Sequence, residues 1–272
     1  MRKLFVIGIG AGHPDHLTLQ AVKAMNAVDV FFFPDKGETR HDLLRFRRAL
    51  CQAHVADQNY RIIEVPDPVR DPAVASYSER VQQWHERRAL LYEQLIHTHV
   101  EEDECAAFLV WGDPMLYDST LRIVDRILAR GVIRFDYEVI PGITSLQALS
   151  AAHRISLNGI GESILITTGR RLSDAQLETA ENVAVMLDAN CSFKTLSDGS
   201  HEIYWGAYVG TQEQILVSGP LGEVAGTIEA ARAQARAQHG WIMDSYVVKR
   251  PGGERFRCRP ATEHSTGDDS HG

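Results

Sequence analysis

Three apolar runs in the first half of the chain each stop at a glycine turn. They are KLFVIGI at 3–9, leading into GAG, AAFLVW at 106–111, leading into Gly112-Asp113-Pro114, and FDYEVI at 135–140, leading into Pro141-Gly142. Consecutive β-branched, aliphatic and aromatic residues without polar alternation describe strands covered on both faces. Such strands need parallel neighbours and helices above and below them. The glycines at their ends let another backbone, or a ligand, approach closer than a side chain permits. In an open α/β sheet, ligands bind at these carboxyl ends.

The segments between these runs fit that architecture. Apolar positions at Leu17, Leu19, Ala21, Val22, Ala24 and Met25 predict a helix over 16–27, and DVFFF at 29–33 predicts a second buried strand closed by Pro34. The stretch 35–60 is polar and basic, with helical periodicity after His41; RIIEV at 61–65 reads as a strand, and PDPVRDP at 66–72 as a turn-rich loop. Residues 73–100 read as one long charged helix, 117–130 as a helix ended by Gly131, and 144–153 as another. Strand and helix alternate, which predicts an N-terminal α/β domain with a mainly parallel sheet.

The second half differs. Strand candidates at 163–167, 183–187, 202–209, 214–218 and 245–249 are closely spaced, with fewer helices between them. This predicts a C-terminal α+β domain with a mixed sheet and at least one hairpin-like pairing. The expected division is 1–141, 142–260, and a polar tail at 261–272 (ATEHSTGDDSHG) too poor in apolar anchors to order.

Composition narrows the chemistry. A net charge of -8 gives no footing for nucleic acid, whose binding draws on basic surface. No apolar run approaches the roughly 18 residues of a membrane span, and the start, MRKLFVIGIGAG, reads as a first strand rather than a signal peptide. Cys51, Cys105, Cys191 and Cys258 are scattered, which points away from a disulfide framework or a zinc site and fits a reducing cytoplasm. His97 and His99 read as a solvated helix end, and no metal is expected.

Gly8, Gly10 and Gly12 form G-x-G-x-G, not the dinucleotide fingerprint G-x-G-x-x-G; the third glycine comes one residue early and Pro14 precedes the helix. A nicotinamide enzyme, with Asp35 on a ribose, remains an alternative at this point. Asp113 puts a carboxylate at a strand end, able to hold an amino group or a ribose hydroxyl. Ser119, Thr120 and Asp118 suit a helix cap, and Thr144 and Ser145 suit a cap, a ligand contact, or both.

Taken together, GxGxG-x-P-x-x-LT at the start, G-D-P after a later strand and PGITS after the next resemble the tetrapyrrole methylases, over roughly residues 3–250. The stretches GIGAGHPDHLTLQA, FPDKGE, VWGDPMLYDSTLRI, FDYEVIPGITSLQAL, ITTGRRL, YRIIEVPDPVRDP and WHERRA are similar to the deacetylating members of that family. His13 stands where an acidic residue is usual in the first loop. The resemblance implies S-adenosylmethionine folded into the cleft between two domains. It implies contacts from Pro14, Trp111, Gly112, Asp113, Leu116, Tyr117, Thr144 and Ser145. Met186, Leu187, Tyr208 and Val209 would close over the adenine from the second domain. It further implies methylation of precorrin-5 at C-1, release of acetate, and a homodimer. A substrate with many carboxylates calls for basic groups; Lys36, Arg170 and Arg171 are the first candidates, with Arg40, Arg45, Arg47 and Arg48 next. Methyl transfer from a sulfonium needs alignment more than a nucleophilic side chain. Deacetylation calls for a base, with Asp35, Tyr117, Asp113 and His13 as candidates.

Overall fold

A computed structural model describes residues 1–35, 41–74, 76–197 and 200–250. In chain order the first half contains β1 (Lys3–Gly8), α1 (Leu19–Met25), β2 (Val30–Asp35), α2 (His41–His54), β3 (Arg61–Pro66), α3 (Tyr77–His99), β4 (Cys105–Val110), α4 (Thr120–Arg130) and β5 (Asp136–Ile140). The five strands form one sheet in the order β3-β2-β4-β1-β5 with every pairing parallel. Both faces are covered, as the unbroken apolar runs require. Leu4, Val6, Phe32 and Phe108 pack with Tyr92 of α3 and Ile123 and Ile127 of α4. Their neighbours Phe5, Ile7, Phe31 and Phe33 pack on the opposite side with Met25 of α1 and Leu50 of α2.

Pro34 does not end β2, contrary to the expectation from sequence. It pairs in register with Val65 of β3, whereas the ladder to β4 stops at Phe32 and Phe108. A missing N–H beyond the end of that ladder breaks nothing. Two helices begin later than their apolar periodicity suggests. Pro14–His16 forms a separate 3-10 turn and Thr18 caps α1, its hydroxyl accepting from the Ala21 N–H at 3.0 Å. Tyr117, with φ 53°, turns the chain ahead of α4.

The second half contains α5 (Ser145–His153), β6 (Ile164–Thr168), α6 (Asp174–Thr179), β7 (Asn182–Met186), β8 (Glu202–Ala207), β9 (Ile215–Pro220), α7 (Leu221–His239) and β10 (Asp244–Lys249). Its sheet runs β6-β7-β10-β8-β9; only β6 and β7 are parallel, and β8 and β9 form the antiparallel hairpin that the spacing predicts. The long helix α7 is not legible in the amphipathic pattern. Its buried residues are Leu221, Ile228 and Ala235, seven apart, and alanine, glycine and polar residues fill most of the rest. The two sheets meet through an apolar cluster of Ala11, Leu146, Leu149, Ala184, Val209 and Val247, with Leu116 and Met186 packed against it.

Candidate active site at the meeting of the two sheets

The carboxyl ends of β1, β4 and β5 are joined backbone to backbone. Gly10 and Gly112 exchange hydrogen bonds, Gly112 donating to Gly10 at 2.8 Å and Gly10 to Gly112 at 3.2 Å. A Cβ on Gly142 would lie 2.1 Å from the Gly112 carbonyl oxygen and 2.9 Å from the Gly8 backbone. Only glycine fits there. Asp113, nearly buried, completes the junction: one carboxylate oxygen accepts from the Met115 N–H at 2.8 Å and the other from the Gly142 N–H at 2.9 Å. Its carboxylate therefore ties the β4 turn to the β5 turn before any ligand is considered.

Beside this junction the backbone leaves a hollow at Gly112 that a side chain would not fill. Gly112 has φ 71°, and a side chain there would meet nothing nearer than the Thr144 Cα at 3.9 Å. Thr144 caps α5 in a reciprocal box: Gln147 donates its N–H to the Thr144 hydroxyl, and the Thr144 N–H donates to the Gln147 side chain at 2.7 Å. The cap is thus one of the roles the sequence leaves open. Beside the hollow, Trp111 packs its ring at a tilt on Phe46, 5.3 Å between centres, and its buried indole N–H has no partner among the described residues. A buried donor without a partner is costly unless a ligand takes it.

The second sheet presents the ends of β7 and β8. Leu187, just past β7, has φ 54° and is 64% exposed; Tyr208, just past β8, has φ 49°. Tyr117 on the β4 side has φ 53°. Such strain in non-glycine residues persists where surrounding structure imposes it, and it clusters at ligand sites. Tyr208 directs its ring away from the junction, onto Trp241 and His239, so only its backbone faces the meeting line. Close packing also brings the glycine loop to the second sheet: a Cβ on Gly12 would lie 2.5 Å from Thr211, and one on Gly210 would lie 3.1 Å from the His13 nitrogen.

Tyr117 bridges the two halves, its hydroxyl donating to the Ile166 carbonyl at 3.4 Å. Burial pushes its phenol above the ordinary value, with Arg171 opposing. A phenol of that kind suits donation better than base catalysis. Pro14 is exposed at the head of the 3-10 turn, and the His13 ring accepts from the Asp15 N–H at 3.1 Å. Asp35, half-buried at the end of β2, accepts on its carbonyl from the Asp67 N–H at 2.7 Å.

The basic candidates divide. The Arg170 guanidinium lies 3.8 Å from the centre of the Tyr77 ring at the start of α3, joining the second domain to the first. Burial would raise the Tyr77 phenol, but Arg170 and Arg70 outweigh it and hold it below its ordinary value. Arg45 pairs with Asp42, Arg48 with Glu64 at 2.7 Å, and Arg47 donates to the Leu109 carbonyl at 3.0 Å. Lys36 and Arg40 lie outside the described residues.

Sequence reasoning misses what α3 contributes. Read as a charged helix, it buries Trp84, His85, Arg88 and Tyr92; Trp84 donates to the Pro68 carbonyl at 2.6 Å just past β3, and Tyr92 stacks on Phe108 of β4. Arg88 forms a 2.6 Å ion pair with Asp67 in which both side chains are almost fully covered, and the guanidinium groups of Arg70 and Arg88 each lie 4.5 Å from the centre of the Trp84 ring. His85 and Ser119 approach to 3.0 Å. The spacing Trp84, Arg88, Tyr92, every fourth residue, was the available signal.

Residues 3–225 match the model of the tetrapyrrole (corrin/porphyrin) methylases. The chain belongs to that family. It is 49% identical over 250 residues to a precorrin-6A synthase [deacetylating] of Sinorhizobium sp, covering 92% of this chain and 96% of that one. A cobalamin-synthesis-related protein of Corynebacterium diphtheriae shares the structure with a TM-score of 0.80 at 38% identity, over 92% of this chain and 99% of that one. The uroporphyrin-III C-methyltransferase of Thermus thermophilus, solved with S-adenosylhomocysteine, shares the fold alone, at 18% identity and a TM-score of 0.55 over 91% of this chain and 92% of that one.

Proposed function

We propose that this tetrapyrrole methylase transfers a methyl group from S-adenosylmethionine to C-1 of precorrin-5 and releases acetate, giving precorrin-6A. The observation that carries the reading is near-full-length identity of 49% to a deacetylating precorrin-6A synthase. The hollow at the sheet junction fits the cofactor. It offers a glycine floor, an indole N–H at Trp111 with no partner among the described residues, and an exposed apolar lid at Leu187. Pro14, Trp111, Gly112, Leu116, Tyr117, Thr144 and Ser145 would hold the cofactor from the first domain. Met186, Leu187, Val209 and the backbone of Tyr208 would hold it from the second. Asp113 would act by fixing the two turns. The bound cofactor supplies an electrophilic methyl group; the chain's part is to align the acceptor carbon and exclude water. Arg170 and Arg171 would receive substrate carboxylates.

The division into 1–141 and 142–260 is supported by β5 belonging to the first sheet and α5 packing on the second. A cytoplasmic homodimer is part of the same reading. Among the described residues Cys51, Cys105 and Cys191 are free thiols, which suits a reducing compartment. The test is calorimetry with S-adenosylhomocysteine, NADH as control, followed by turnover of precorrin-5 with acetate and product mass as readouts. Micromolar binding of the former alone supports the cofactor. Binding of NADH instead, or methylation without acetate, would send the assignment to an oxidoreductase or to another ring position.

A further inference from the structure

The WHERRA stretch places His85 two turns into α3, 8% exposed, with its Nε2 3.0 Å from the Ser119 hydroxyl. Ser119 sits at the N-cap of α4, a position serine usually fills in order to cap. Here it makes no capping bond: its backbone is helical (φ -107°, ψ -8°) rather than extended, and the neighbouring Asp118 accepts from the Thr120 N–H. The serine hydroxyl is left to the imidazole. Ser119 also closes the segment that carries Asp113 and Tyr117, so it extends directly from the proposed cofactor turn.

We propose that Ser119 and His85 are the acyl-transfer pair of this enzyme: Ser119 takes the acetyl group from the macrocycle and His85 takes the serine proton. The inference rests on the deacetylating reading above and adds the residues for its hydrolytic half. In the first step the Ser119 O–H proton moves to His85 Nε2 and Oγ bonds to the acetyl carbonyl carbon. The bond between that carbon and the ring breaks, and its electron pair stays on the macrocycle. The pair makes the carbon nucleophile that methyl transfer requires, and it is consumed when the ring carbon accepts the methyl group. His85 then returns its proton to solvent. Water attacks acetyl-Ser119, His85 takes a proton from the water and passes it to the departing Oγ, and acetic acid leaves.

The surroundings suit this role. The groups around the imidazole are Trp84, in ring contact at 5.2 Å, Ser119, and the cations Arg126, Arg122, Arg88 and Arg70. Arg126 has Glu86 beside it at 3.8 Å, and Arg88 is paired with Asp67. Burial first, and these arginines second, lower the pKa of His85, keeping the ring neutral and able to accept a proton at neutral pH.

The experiment compares the wild type, Ser119→Ala, Ser119→Thr and His85→Gln. Each is assayed with precorrin-5 and S-adenosylmethionine for acetate and for S-adenosylhomocysteine, and each is titrated with S-adenosylhomocysteine by calorimetry. The expected result is a fall in kcat of roughly 100-fold or more in Ser119→Ala and His85→Gln, with KM and S-adenosylhomocysteine affinity within about threefold of wild type. Ser119→Thr, which keeps the hydroxyl, recovers part of the rate. The acid limb of the wild-type kcat profile lies below the ordinary imidazole range and disappears in His85→Gln. With hydroxylamine added, the wild type diverts acetate to acetohydroxamate. The inference is overturned if Ser119→Ala releases acetate within tenfold of wild type, or if the wild type gives no acetohydroxamate at hydroxylamine concentrations that leave turnover intact. The second arm needs no variant and decides the matter even if a substituted chain does not fold. A wild type that binds S-adenosylhomocysteine but releases no acetate removes the deacetylating reading as well.

Discussion

Gly142→Ala tests whether the three strand ends are held by backbone contact. The new methyl would sit 2.1 Å from the Gly112 carbonyl oxygen and 2.9 Å from the Gly8 backbone. Ordinary contact needs well over 3 Å, so one strand end must move by about 1 Å, and no flexible side chain is available to yield. Overpacking of this kind costs about 1–3 kcal/mol. The displaced Gly142 N–H also leaves the Asp113 carboxylate, which accepts it at 2.9 Å, a charge-assisted bond contributing about 1.5–3 kcal/mol. A loss of about 2.5–6 kcal/mol follows. The assay is urea denaturation followed by tryptophan fluorescence, with m compared between the two chains, and S-adenosylhomocysteine calorimetry on the folded protein. Affinity should fall at least tenfold, because the moved turns form the floor of the hollow. Gly226→Ala is the internal control. It lies within α7 with nothing within 4 Å of its built Cβ, and removing a helical glycine stabilises by about 0.5–1 kcal/mol. A Gly142→Ala chain within 1 kcal/mol of wild type, with cofactor affinity unchanged, would refute the argument.

Arg88→Met leaves Asp67 charged and buried without its partner, so a loss of about 3–5 kcal/mol is expected in denaturation, largely recovered when Asp67→Asn is added. Arg170→Ala should raise KM for the tetrapyrrole at least tenfold while S-adenosylhomocysteine affinity stays the same; an equal loss of both would place Arg170 at the cofactor instead. His16, His85 and His153 each have their pKa lowered, burial being the main cause in all three. The unfolded chain therefore binds these protons first. Stability is complete above the unfolded value of about 6.5 and falls as pH drops below it, each histidine contributing up to about 1.4 kcal/mol per pH unit until its lowered folded value is reached. Urea midpoints between pH 7.5 and 5.5 measure this slope, and His153→Gln should flatten it.

Much of the first domain was legible because its strands are buried on both faces. Runs such as VFFF and AAFLV need no partner to identify them, and their glycine ends marked the junction before any contact was known. The second domain was harder for a physical reason. α7 buries only Leu221, Ile228 and Ala235, and small residues between them carry almost no periodic signal. The resemblance puts Met186–Leu187 and Tyr208–Val209 at strand ends, and β7 and β8 do stop at Met186 and Ala207, but it says nothing of the direction of the side chains. Tyr208 packs into the second core rather than the cleft, a choice made by Trp241 and His239, which lie more than 30 residues further along the chain. The charged face of α3 misled for the opposite reason. Arg88 and His85 are polar residues at buried positions, and polarity alone reads as solvent exposure. Only the tertiary partners Asp67 and Ser119 make their burial tolerable.

This contrast separates two kinds of site on one sheet. At β1, β4 and β5 the machinery is backbone: glycines in contact, a carboxylate bonded to amides, and strand-end residues forced to positive φ. A ligand common to many relatives is well served by such a site, since side-chain substitution elsewhere scarcely touches it. At β3 and the start of α3 the machinery is side chains: Arg70, Tyr77, Trp84, His85 and Arg88, reached by Arg170 from the second domain. These can change without disturbing the junction, so they are where one methylase would differ from another in the macrocycle it accepts and in what it removes. The division makes a physical demand. Substitutions on α3 should alter turnover or KM while leaving S-adenosylhomocysteine affinity alone, whereas substitutions among Gly8, Gly112 and Gly142 should lower turnover and that affinity together.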